Sequence, residues 1–315
     1  MVKRCHQISC ILLCLLLVAC RGKKPGTPDD TLFSGLVRVA VDETLSPFVQ
    51  EEINVFEMQY PMAGIDPLYT NEVEAMNLLL QDSVRLVIAT RPLTVDEITS
   101  FQNRKFFPKS IKIATDGIAL ITHKQNPDTI INVAGLKKIF SGQVSRWEQL
   151  FPKSKSRPLH IVYDHPNSST VRYVLDSICP GQSLSGQSYA AGTNRKVIEY
   201  VAQTPNALGV IGVNWISEEH DSLSREFLSE VQIMRISREE NPTRKNSFQP
   251  YQYYLHNGQY PLTRNIYINL NDPRSGLPTG LTSFITGSRG QRVILKAGLL
   301  PATMPVNIVN VRNEF

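Results

Sequence analysis

Beyond residue 20 the sequence offers one cysteine, Cys179, so the body of the protein has no internal disulfide. A zinc site built from thiols is excluded with it. The lone thiol, next to Pro180, reads as a small buried apolar residue rather than a nucleophile. The six histidines are scattered, with no HxH or HExxH spacing, so no histidine-built metal site is expected. Charge of one sign is also missing. The first 19 residues carry Lys3 and Arg4 and no acidic side chain; of 33 basic residues, 31 therefore remain against 28 acidic, a net of +3. That near-balance gives no electrostatic case for nucleic acid, and no RNP or zinc-finger motif is present. There is no internal repeat, no low-complexity block, and after residue 20 no strongly apolar run.

The one strongly apolar run lies at the start. Lys3 and Arg4 precede a short core from Ile8 to Val18, too short to span a bilayer as a mature helix. It ends in Leu17-Val18-Ala19-Cys20, with a small residue before the cysteine. This pattern predicts a lipoprotein signal over residues 1–19, cut before Cys20, with lipid on that thiol. An ordinary secretory signal or an uncleaved anchor would leave the body on the same, extracytoplasmic side. Residues 20–32, which include RGKKPGTPDD, read as a flexible tether. The body of about 280 residues exceeds the usual single-domain size, so one large or two medium domains are expected.

The body alternates strand-like and helix-like segments. Leu36–Val41, Ile65–Tyr69, Val84–Ala89, Leu159–Tyr163, Ala207–Val213 and Ile266–Leu270 read as strands. Helices are expected after Ser46-Pro47, after Thr70 as a cap, after the capping box Thr94–Glu97, after Asn132, and from Ser168-Ser169-Thr170. Val171, Val174, Leu175 and Ile178 give the last of these an apolar face. Further helices are expected over Lys196–Ala202, Leu281–Phe284 and Gly290–Ala297. Ile111–Ala114 and Ile118–Thr122 read as two strands broken by a bend at Asp116-Gly117. Such alternation implies an α/β fold around mostly parallel sheets.

Several connections share one device: a strand ends and a Ser or Thr opens the next helix. Thr44 and Ser46, Thr70, Thr90, and Ser168 to Thr170 occupy such places. Each turn offers free N–H groups, a hydroxyl and the positive end of a helix dipole. Gathered at the carboxyl edge of an α/β sheet, they would suit an anion or a polyhydroxyl ligand. Taken singly, each is also an ordinary helix cap.

The residues Ile113 to Ile121 (IATDGIALI) with Asn126-Pro127 resemble the interdomain strand of phosphate-binding proteins of ABC transporters, the PstS family. Leu136 to Leu150 is similar to that family's IFxGxxxxWxxL segment. Ala207–Gly212, Tyr260-Pro-Leu-Thr-Arg264 with Ile266-Tyr267, and Gly290-Gln-Arg292 with Ala297-Gly298 are similar as well, in the same order. The resemblance implies a two-lobed type II periplasmic binding fold, each lobe a mostly parallel sheet flanked by helices, with two crossovers. Strand order then suggests lobe one at 33–114 plus 222–315 and lobe two at 115–221. It implies capture of inorganic phosphate in an interlobe cleft for the transmembrane subunits of an ABC importer. The protein would be a monomer attached to the membrane through Cys20, with no cofactor, no metal and no enzyme chemistry. Another oxyanion, another small polar solute, or a sensor or scaffold role are the alternatives.

Carried over residue by residue, the resemblance points to Thr44 and the Leu45 N–H in the first turn and to Thr70 in the second. Thr90 and Arg91 follow in the third, and Ser168, Ser169 and Thr170 in the fourth. The family's arginine in the fourth turn is replaced by Asp164. A guanidinium presents two parallel donors to an oxyanion and an aspartate presents none. Arg91 and Arg172 are the candidates to supply the charge instead, unless the ligand is not phosphate. Asp42, Glu43 or Asp164 could accept the proton of hydrogen phosphate, which sulfate lacks. A hydrolase is not indicated: Gly181–Gly186 (GQSLSG) has the wrong spacing for a nucleophile elbow. His165 near Ser168 lacks a third, orienting group.

Overall fold

The computed structural model describes residues 30–152, 154, 157–216 and 229–304. The expected signal segment, Cys20 and the tether up to residue 29 lie outside the described residues.

The chain opens with β1 (Gly35–Asp42), α1 (Ser46–Gln59), β2 (Ala63–Thr70), α2 (Glu72–Leu80), β3 (Leu86–Ala89) and α3 (Val95–Asn103). It continues through β4 (Lys109–His123), β5 (Ile130–Asn132), α4 (Val133–Phe140), β6 (His160–Tyr163), α5 (Ser169–Tyr173), β7 (Ser188–Ala190), α6 (Asn194–Gln203) and β8 (Ala207–Gly212). Then come β9 (Val231–Ile233), β10 (Arg235–Ser237), β11 (Ser247–Phe248), α7 (Gln252–His256), β12 (Thr263–Leu270), α8 (Leu277–Thr286), α9 (Ser288–Lys296) and β13 (Leu300–Pro301).

Local chemistry explains most boundaries. Pro47 sits in the first turn of α1, where its missing N–H has no partner to lose. At α3 the expected capping box is complete: Glu97 N–H donates to Thr94 Oγ1 at 3.2 Å and Thr94 N–H to Glu97 Oε2 at 2.7 Å. Asn132 caps α4 by accepting the Gly135 N–H at 2.8 Å. One cap differs from expectation. Thr70 is the last residue of β2, and Asn71 caps α2 by accepting the Glu74 N–H at 3.0 Å.

Four apolar clusters form among the described residues, and two of them are the larger cores. In the first, Val37, Val39 and Val41 alternate along β1 and pack with Phe48, Ile53 and Phe56 of α1 and with Ile266 and Ile268 of β12. In the second, Ile118 and Leu120 pack with Leu136, Phe140, Ile161, Val174 and Leu208. The apolar face expected on α5 is there, and the helix runs on as a π-helical turn over Val174–Ile178. Cys179 is free and buried. Around each core runs a parallel three-strand unit, β2-β1-β3 in one and β8-β6-β7 in the other.

Two features depart from the sequence reading. First, β4 is one strand of 15 residues, not two broken by a bend. Its Lys109–Gly117 part pairs antiparallel with β12 in one sheet, and its Ile118–Thr122 part pairs antiparallel with β8 in the next. Gly117 does not interrupt the strand. The room its missing side chain leaves is filled by Pro250 and Leu255, each 3.1 Å from where a Cβ would stand. Second, residues 231–262, expected with lobe one, join the second core through Met234, Ile236, Leu255, Tyr260 and Leu262. The reason is a non-local pairing: β10 lies parallel to β5. The chain returns to the first core only at β12.

Candidate functional site

The two cores meet at the end of β1. Asp42 closes that strand, and its Oδ1 accepts the N–H of Thr44 at 3.1 Å. The carbonyl of Thr44 accepts from Asn214 Nδ2 and from Trp215 Nε1, both at 3.0 Å. Its hydroxyl lies 3.1 Å from the hydroxyl of Ser169, at the start of α5 on the other side of the seam. A guanidinium joins the two. Arg264 Nη1 donates to Ser169 Oγ at 2.7 Å and Nη2 to Thr44 Oγ1 at 3.1 Å. Its Nε donates to Asp116 Oδ2 at 2.9 Å, and Arg264 is only 6% exposed.

Arg264 and Asp116 are directly opposite in the β12–β4 register, at the point where β4 passes from one sheet to the other. The backbone crowds in here. A Cβ on Gly212 would stand 2.8 Å from Asn214 Nδ2, 3.1 Å from Asp116 Oδ2 and 3.2 Å from Arg264 Nη2, so a side chain there would have to displace members of this hydrogen-bonded cluster.

The structure brings most of the expected residues to this seam. Thr44 and Ser169 touch. Ser168 caps α5 by accepting the Val171 N–H at 3.3 Å, and its hydroxyl lies 2.8 Å from Thr170 Oγ1. Thr170 donates onward to Asp164 Oδ1 at 2.6 Å. Thr90 donates its N–H and its hydroxyl to Glu72 Oε1, at 2.9 and 2.8 Å. Arg172 crosses the seam: Nε and Nη2 engage the two carboxylate oxygens of Glu72, and Nη2 also reaches Thr90 Oγ1 at 2.8 Å. Thr70 ends β2 opposite Asp42.

The side chain of Leu45 is fully buried in the first core, and only its N–H was expected at the turn. One expected side chain stands elsewhere. Arg91 is turned to Glu97, with bonds of 2.8 and 2.7 Å to its two oxygens, and so braces the α3 cap. The residues the motifs did not single out are Arg264, Asp116, Glu72, Asn194 and Asn214. A signal for Arg264 existed. It shares the buried register of β12 with Ile266, Ile268 and Leu270, and a lone charge on the apolar phase of a strand demands a partner.

The seam is acidic. Asp42, Glu72, Asp116 and Asp164 are buried, and Glu43 is held by Asn194 through its N–H and by Nδ2 at 2.7 Å. Burial pushes Asp42 up to about 7; the Glu72 carboxylate adds to the shift and Arg264 opposes it. The Ser169 hydroxyl stands close enough to favour the charged form of Asp42 without closing a hydrogen bond to Oδ2. Burial also pushes Glu43 to about 7 and raises Asp164. At Glu72 burial works the same way, but the hydrogen bonds and charge of Arg172 outweigh it and hold the carboxyl below its usual range. Burial raises Asp116, with Arg264 opposing. Among the described residues no group of three or more His, Cys, Asp or Glu is arranged to hold a metal ion.

A model of the PBP superfamily domain matches residues 24–288. The phosphate-binding protein PstS of Staphylococcus aureus (strain USA300) is 22% identical over 261 residues, which cover 82% of this chain and 75% of that protein. A provisionally assigned phosphate ABC transporter substrate-binding protein from Clostridium perfringens, solved with bound phosphate, is 20% identical with a TM-score of 0.69. That match covers 85% of this chain and 99% of the other. An ABC-type phosphate transport receptor from Vibrio cholerae is 17% identical with a TM-score of 0.61, covering 85% of this chain and all of its own. These likenesses establish the two-lobed periplasmic binding protein fold.

Proposed function

Because the chain belongs to the PBP superfamily and is PstS-like, we propose that it is an extracytoplasmic solute-binding protein that captures inorganic phosphate between its lobes for an ABC importer. The observation that carries this reading is the convergence of Thr44 and Ser169, from turns on opposite sides of the seam, on one buried guanidinium. Two hydroxyls and a positive charge at one point are what an oxyanion needs. Arg264 takes the part that Asp164 cannot play, with Arg172 committed to Glu72 and Arg91 to Glu97. In this reading Cys20 carries lipid that holds the body at the membrane, the permease subunits receive the loaded form, and no catalysis takes place. Among the described residues no helix is long and apolar enough to cross a membrane.

Binding opens the Thr44–Ser169 hydrogen bond, and the oxyanion takes its place. A second reading, another oxyanion or small polar solute, is favoured by Asp164, which stands where the family has arginine and is buried. Calorimetry of the purified protein with phosphate and with sulfate tests both. Phosphate binding without sulfate binding supports the first reading. Equal binding of the two defeats the proton-based discrimination, and binding of neither defeats the capture of a simple oxyanion.

A further inference from the structure

Both guanidiniums at the seam are engaged, and three buried acceptors are left over. Arg264 is used by Asp116, Ser169 and Thr44. Arg172 is used by Glu72, Thr90 and Asp176. Among the described residues, Asp42 Oδ2, Asn194 Oδ1 and Asn214 Oδ1 are buried without a hydrogen-bond partner. Both asparagines are at most 1% exposed. Their amide orientations are not arbitrary: Asn194 Nδ2 must face the Glu43 carboxylate and Asn214 Nδ2 the Thr44 carbonyl, which leaves each oxygen free beside the same seam. A buried acceptor without a donor is costly and calls for one.

The charges point the same way. Of five carboxyls at the seam, Glu72 and Asp116 have an arginine. Among the described residues Asp42, Glu43 and Asp164 form no ion pair, although the charge of Arg264 is felt at Asp42, and Asp164 lies near enough to the other two to disfavour their charge. Free phosphate brings more negative charge and at most two protons. An ammonium group brings three N–H donors and a positive charge.

We propose that the preferred ligand of this seam is an oxyanion with its own cation, a small phosphate ester or phosphonate bearing a primary amine. Its oxyanion end faces Arg264, Thr44 and Ser169, and its ammonium faces the unpaired acceptors and the three carboxyls without arginine. This rests on the oxyanion-binding reading above and names the solute class. The site is buried, which commits the proposal to a free solute rather than a headgroup in a bilayer.

The test is calorimetry of the purified protein with 2-aminoethylphosphonate, with propylphosphonate, which has methyl in place of the amine, and with inorganic phosphate. The amine is expected to tighten binding over propylphosphonate by about tenfold or more, the worth of a charge-assisted hydrogen bond. That advantage should grow from pH 5 to pH 8 as the carboxyls facing the ammonium ionise, and binding should release protons. The groups that set this dependence are Asp42, Glu43, Glu72, Asp116 and Asp164 against Arg172 and Arg264. Asp164→Asn, which can still accept from Thr170, should erase most of the advantage. Propylphosphonate binding as tightly as the amine overturns the proposal. So does inorganic phosphate binding more tightly than the amine, an outcome that leaves phosphate capture standing. Binding of the amine without inorganic phosphate supports the proposal and sinks phosphate capture; binding of none sinks both. Phosphatidylethanolamine vesicles serve as the remaining arm, and capture by them in preference to the free solute also overturns it.

Discussion

Replacing Arg264 with methionine keeps most of the side-chain length and removes the charge. Asp116, fully buried, then loses the Arg264 guanidinium and keeps the Val213 N–H at 3.2 Å. Breaking a buried ion pair from one side costs about 3–5 kcal/mol, because the remaining charge has no compensation. With a urea m-value of about 3 kcal/mol/M, the unfolding midpoint should fall by roughly 1–1.7 M at pH 7. The sign of the pH dependence is fixed. Burial already holds the folded pKa of Asp116 above its unfolded value, and without Arg264 to oppose it the shift grows, so in the variant the unfolded state ionises well before the folded one as pH rises. The destabilisation is therefore fullest at neutral pH and shrinks as pH falls through the new folded pKa. Arg264→Lys should lose less, since it keeps the charge and loses only the fork. Replacing both residues, Arg264→Met with Asp116→Leu, should recover much of the loss. Urea melts read by tryptophan fluorescence at pH 5 and pH 7 decide it. A loss below about 1 kcal/mol for Arg264→Met at pH 7, or full additivity in the double variant, would refute the reasoning.

Three further outcomes follow from contacts described above or from the burial of one helix. Arg172→Met leaves the Glu72 carboxylate buried without its cation; a loss of about 2–3 kcal/mol is expected, moderated because Arg172 is partly exposed, and urea unfolding measures it. Glu52, on the inner face of α1, has both carboxyl oxygens buried without hydrogen-bond partners among the described residues, and burial pushes it up to about 9. Above pH 5 the unfolded chain ionises this group and the folded one does not. Wild-type stability should thus fall behind that of Glu52→Gln by about 1.4 kcal/mol per pH unit up to pH 9, and parallel melts of the two across that range would show no divergence if Glu52 were paired. Ser168→Ala should cost about 1 kcal/mol from the lost cap of α5, read by thermal melting.

The sequence made some of this legible and hid the rest for identifiable reasons. Elements whose ends are set by local chemistry were readable: the Thr94–Glu97 box, the Asn132 cap, Pro47 in α1 and Ser168 at α5 all stand where their side chains predict. Elements set by distant partners were not. The unbroken course of β4 goes with Pro250 and Leu255 filling the space beside Gly117, more than 130 residues downstream. The 231–262 segment follows β5, about 100 residues upstream, rather than any pattern of its own. At the site, the hydroxyls of Thr44 and Ser169 could be anticipated because helix starts collect them. The charge could not be placed by motif. Arg91 and Arg172 sit in the expected turns, yet each had a carboxylate closer to hand, Glu97 six residues on and Glu72 across the seam. The arginine that joins the two turns comes from β12; it lies in the family-like segment Tyr260–Arg264, but no role was assigned to it there, and its phase among Ile266 and Ile268 was the signal for a buried charge.

The unbroken course of β4 also fixes how the molecule can move. One strand belongs to both sheets, so the lobes are not beads on a flexible string but two blades on a common shaft. They can separate by twisting or bending that shaft, and the displacement grows with distance from it. Asp116 lies on the shaft and Arg264 on the strand beside it, so this pair stays nearly still. The Glu72–Arg172 and Glu43–Asn194 contacts lie outside the strand and sweep through the larger arc. Under the proposed capture of a solute between the lobes, the positive charge of Arg264 would already be in place at the pivot, while Glu72 and Glu43 would arrive with the closing blades.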